Sequence, residues 1–136
     1  MKLKLFILIL LMPLVALPLA AAEETAEEAD GVRYIELKPA FVTNYGGPGR
    51  LKYIKAEISL RVDTQQAYRL VRHHMPSLRH ALIMVLTQQT DESVDTMEGK
   101  EQIRMQSLSS LQEVMKQEEG EPYIEDVLFS SFFVQR

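Results

Sequence analysis

The sequence predicts an α+β fold: a small, mainly antiparallel sheet of three to four strands with two to three helices packed on one face, after an N-terminal signal or anchor segment. Three observations predict it. Residues 50–62 (RLKYIKAEISLRV) alternate strictly, with Ile54, Ala56, Ile58, Leu60 and Val62 on one side and Tyr53, Lys55, Glu57, Ser59 and Arg61 on the other. That is the mark of a strand with one buried face. Two amphipathic helical stretches follow, and their apolar stripes need a surface to cover. The chain then closes on a run rich in aromatic and branched residues, which favours a strand.

The start of the chain stands apart from this domain. Lys2 and Lys4 precede the apolar run Leu5 to Leu17, and Ala20, Ala21 and Ala22 supply small residues before Glu23. This three-part pattern predicts a signal peptide over residues 1–22, with cleavage after Ala22. An uncleaved membrane anchor is the alternative, since about 18 apolar residues approach a bilayer span, though Pro13 and Pro18 interrupt the helix. Under either reading the rest of the chain lies outside the cytoplasm. Residues 23–31 follow as an acidic tether carrying Glu23, Glu24, Glu27, Glu28 and Asp30 with no base. Residues 32–136 form one domain. It has no cysteine, so its stability must come from an apolar core.

Within the domain, residues 32–43 (VRYIELKPAFVT) are extended in character, and Pro39, which cannot donate to a ladder, suits them to an edge or to two short pieces. Residues 44–49 (NYGGPG) are turn formers, and a hairpin is the simplest link to the strand at 50–62. Asp63 and Thr64 stand where a helix cap belongs. Ala67, Leu70, Val71 and His74 share a helical face, and Pro76 marks either a kink or the first residue of a new helix. Leu78, Ala81, Leu82, Val85 and Leu86 continue the stripe, broadened by Ile83 and Met84, which predicts a helix buried on most of its circumference. A third helix is predicted from a Thr96 cap to about Glu118, with Ile103, Leu108, Leu111, Val114 and Met115 inward, stopped by Gly120 and Pro122. The final strand, within residues 123–134, has apolar residues on both faces, which predicts a central position beside residues 50–62.

Charge divides the domain. Residues 31–80 sum to +6 and residues 81–136 to −7. Both halves could be solvated faces of one monomer, or the basic half of one copy could meet the acidic half of the next. Chemistry is sparse by comparison. His73 and His80 share a face only if the helix runs straight through Pro76, and Arg69, Arg72 and Arg79 interleave with the histidines. A basic surface patch is therefore expected rather than a metal site. No serine sits in a nucleophile elbow or in a recognisable order with a histidine and an acid. The methionines fall at helical spacing and are expected to fill the core. No catalytic residue and no cofactor is expected, and an acidic, exported chain is no nucleic-acid binder.

Four stretches taken together resemble the FliL family of flagellar basal-body-associated proteins: LKYIKAEISLRV (51–62), PSLRHALIMVLTQQT (76–90), MEGKEQIRMQSL (97–108) and EDVLFSSFFVQ (125–135). Gly99-Lys100-Glu101 and Phe132-Phe133-Val134-Gln135 match the family's Gly-Lys-Glu helix start and its closing strand. The resemblance implies a single-pass inner-membrane protein whose periplasmic domain is similar to the stomatin/prohibitin fold. It also implies assembly as a homo-oligomeric ring around the stator proteins, with support of torque and swarming; contact with the inner-membrane surface is possible. In place of that family's basic cytoplasmic tail and longer span, this chain has a leader that looks cleavable. Arg69, Arg72, Arg79, Glu98, Gly99, Lys100 and Glu101 are the expected protein-interaction residues. A periplasmic ligand-binding or hydrolytic domain unrelated to motility is the competing expectation.

Overall fold

The computed structural model describes residues 30–136, so the leader and most of the tether fall outside the described residues. Of the tether, Asp30 accepts a hydrogen bond from the backbone N–H of Gln65 at 3.2 Å. The order of elements is β1 (Arg33–Asn44), β2 (Tyr53–Val62), α1 (Gln65–His73), α2 (Met75–Thr87), α3 (Asp91–Asp95), α4 (Met97–Glu119) and β3 (Asp126–Gln135). The three strands form one antiparallel sheet in the order β1-β2-β3.

The alternating strand is β2, and it lies at the centre. Ile54, Ala56, Ile58, Leu60 and Val62 are all fully buried. Among the described residues the helices cover that face and nothing covers the opposite face of the sheet. Both neighbours of β2 are edges, which corrects the expectation that the C-terminal strand is central. The reason lies in its bulge. Ala56 pairs with Phe132 but Ile58 pairs with Phe129, so Ser130 is an extra residue that reverses the inward parity. Val127, Phe129, Phe132 and Val134 consequently share the helix-covered face, and only Leu128 and Phe133 remain on the open one. What reads as a two-faced strand is a one-faced strand with a parity change. In β1, Leu37 pairs with Ile58 and Phe41 with Ala56, an insertion of two residues that keeps parity and contains the cis Lys38–Pro39 peptide.

Thr64 caps α1, its Oγ1 accepting from the N–H of Ala67 at 3.0 Å, and Thr96 caps α4 by accepting from Gly99 at 2.9 Å. Pro76 opens α2 as a separate helix, so His73 and His80 do not lie on one continuous helix. Gly120 ends α4 in the left-handed conformation, at φ 83°. Three expectations need correction. The five-residue α3 was not anticipated; Thr90 and Ser93 form its capping box. In α2 only Leu78, Leu82 and Leu86 are fully buried, while Ile83 and Met84 are 37% and 45% exposed, because one side of the helix meets α4 and β1 and the other meets water. Among the methionines Met115 is core, but Met97 is 85% and Met105 58% exposed.

Candidate functional site

The expected interaction residues fall into two groups. Arg69 and Arg72 project from α1 and are exposed. The Arg72 guanidinium lies 5.6 Å from the centre of the Tyr68 ring and donates to its hydroxyl at 3.2 Å. Arg79 differs from them. It is half-buried, stacks 4.2 Å from the centre of the Phe41 ring and donates to the carbonyl of Pro39 at 3.0 Å, so it clamps the irregular stretch of β1 onto α2. Its charge is tied to folding.

The second group opens α4. Glu98 is exposed, and Lys100 lies 5.7 Å from the centre of the Phe132 ring. Glu101 receives two hydrogen bonds from Arg104, at 2.9 and 2.5 Å, which hold its carboxyl below the usual range and push the Arg104 guanidinium up. Arg104 also pairs with Asp126, tying α4 to the start of β3. Gly99 is buried, and a Cβ built on it would lie 2.2 Å from the backbone oxygen of Ser93. Only glycine lets the backbone of α3 approach α4 this closely.

The two groups stand far apart. Nε2 of His74, between α1 and α2, lies 2.6 Å from Oε1 of Glu119 at the end of α4, whereas Gln89, after α2, donates to Gln106 in the first half of α4. Helices α2 and α4 therefore run antiparallel, and the arginines stand near the end of α4 while Glu98 to Glu101 stand at its start. The 23 residues of α4 span about 34 Å at 1.5 Å per residue. His73 and His80 are exposed as expected for a surface patch, but His74 is largely buried and engaged by Glu119. Among the described residues no group of three His, Cys, Asp or Glu side chains could hold a metal ion, and no helix is long and apolar enough to cross a membrane.

Sequence reasoning missed two features. At the corner where the β1–β2 hairpin meets α3, buried Tyr45 donates from its hydroxyl to Asp91 at 2.9 Å, and Lys52 and Arg136 pair with the same carboxylate. Arg136 also pairs with Asp95. The Lys52 hydrogen bond, and then that of Tyr45, hold Asp91 below the usual carboxylate range; burial and the neighbouring carboxylate push the Tyr45 hydroxyl up. These partners are up to 46 residues apart in sequence, so no local pattern signals them. The other is an apolar patch on the open sheet face. Val42 and Phe133, 64% and 66% exposed, join Tyr53, Lys55 and Gln135 around a shallow cavity of about 360 Å³. Its signal was the outward Phe133.

Comparison with known proteins agrees with this layout. The family described as flagellar basal body-associated protein FliL matches residues 34–135, from the start of β1 to the end of β3. The flagellar protein FliL of Aquifex aeolicus (strain VF5) is 29% identical over 114 residues, covering 84% of this chain and 68% of that protein.

Proposed function

This chain belongs to the FliL family of flagellar basal body-associated proteins, a structural and generally non-enzymatic family, and from that premise we propose that it is a motor accessory that associates with the stator proteins and supports flagellar rotation and swarming. It works at the inner membrane from the periplasmic side, by docking to neighbours and to copies of itself. The observation that carries this reading is the extent of the family match, which runs from Tyr34 in β1 to the end of β3 and takes in every helix of the described residues. The geometry supports it through charge: exposed Arg69 and Arg72 stand by one end of α4 and Glu98 and Glu101 at the other, as a scaffold joined head to tail would need. Arg69, Arg72, Glu98, Lys100 and Glu101 are the proposed contact residues, with Gly99 buried beneath the last three. Arg79 contributes by holding β1 in shape.

A strain lacking the protein tests the proposal. Swarming and swimming in high-viscosity medium should be impaired and restored by the wild-type chain, and restored only weakly by Arg69→Glu with Arg72→Glu. Normal motility of the deletion strain under load would contradict it.

A further inference from the structure

Among the described residues the sheet has two open edges, and they differ in kind. Along β1, the free edge from Tyr34 to Lys38 borders a groove of about 400 Å³ whose far wall is Tyr68, Arg72 and Met75. Arg72, Lys38 and Glu36 line it, Glu36 lying 3.1 Å from the Lys38 ammonium, and Arg33 stands 5.8 Å from the Tyr68 ring centre. The regular part of this edge ends at the irregularity after Leu37. On β3, the regular stretch before the Ser130 bulge runs from Asp126 to Phe129 and is entered through Glu121 and Glu125, both exposed. Both stretches pair with the same part of β2, at one end of the sheet. Both run antiparallel to β2, so they are parallel to each other.

We infer that the β1 edge of one copy receives the β3 edge of the next, continuing the sheet from subunit to subunit. This rests on the self-docking proposed above and gives it a surface on which Glu125, and not Glu98 to Glu101, meets the neighbour's basic half. An unpaired strand edge is a ready template for another strand, and its backbone groups gain partners there. The register supports the match. Arg33 is level with Val62, and Glu125, which donates its N–H to the carbonyl of Arg61, enters the sheet at that same level. A copy added without a shift brings Glu125 beside the neighbour's Arg33, joining the acidic to the basic half. It also brings Leu128 beside the neighbour's Glu36, since both are level with Ser59.

The absence of native cysteine makes this testable by cross-linking. Neighbouring strands lie about 4.8 Å apart, within reach of a disulfide. The full 136-residue chain carrying Glu36→Cys and Leu128→Cys should give, on oxidation, a ladder of dimers, trimers and larger species on a non-reducing gel. Each single variant should stop at the dimer, and Glu36→Cys with Gln135→Cys, at the opposite end of β3, should give no ladder. In the wild-type chain, amide exchange over residues 33–37 should slow as concentration rises. Oligomers in sedimentation velocity without the ladder, or with equal ladders from both pairs, would overturn the edge contact and leave self-docking standing. A wild-type chain that sediments only as a monomer would overturn both.

Discussion

Gly99 shows what a single residue decides. Its missing side chain is the space occupied by the backbone of Ser93, so Gly99→Ala must push α3 off α4. The expected cost is about 1–3 kcal/mol, typical of overpacking, read as a lowered melting temperature. A variant as stable as the wild type would show that α3 yields freely. Ser107 makes the opposite case. It is fully buried on α4, and its hydroxyl has no hydrogen-bond partner. Ser107→Ala should therefore leave stability unchanged or raise it by up to about 1–3 kcal/mol, in urea denaturation. The Thr64 and Thr96 caps were legible because capping is local, a hydroxyl reaching three residues ahead. Gly99 was legible as a glycine at a helix start, but not what it touches, because α3 has too few residues to show a period. Arg79 read as a surface cation because nothing in its own helix reveals the Phe41 ring beneath it.

Among the elements, the strands contrast most. Strand β2 was legible in full because its parity never changes over ten residues. Strand β3 was legible as a strand and misplaced as central, because the Ser130 bulge exchanges its faces midway. Deleting Ser130 should make the strand regular while leaving Phe129, Phe132 and Val134 inward, so the midpoint in chemical denaturation should change little. A loss of roughly 2–4 kcal/mol, as for an emptied core site, would mean that these side chains do not stay inward without the bulge. The hairpin corner makes a prediction about acid. Asp91 and Glu101 both titrate below their ordinary values in the folded chain, so they contribute stability above about pH 4, lost as pH falls through their lowered folded values. The urea midpoint should thus drop on acidification in that range, and Asp91→Asn should remove part of the drop. A midpoint independent of pH from 5 to about 2 would contradict the assignment.

At the scale of the whole molecule, charge carries the functional account. The division between +6 over residues 31–80 and −7 over residues 81–136 was plain in the sequence. Its meaning needed the fold, which sets exposed Arg72 on the β1 groove and Glu121 and Glu125 beside the opposite edge of the sheet. Exposed charges of this kind act over about 8 Å at physiological ionic strength, so contacts built on them weaken with added salt. Sedimentation velocity of the full chain across protein concentration and salt tests this account most directly. It predicts assemblies that grow with concentration, shrink as salt rises and are lost in Arg69→Glu with Arg72→Glu. A single monomer boundary at every salt and concentration would contradict it.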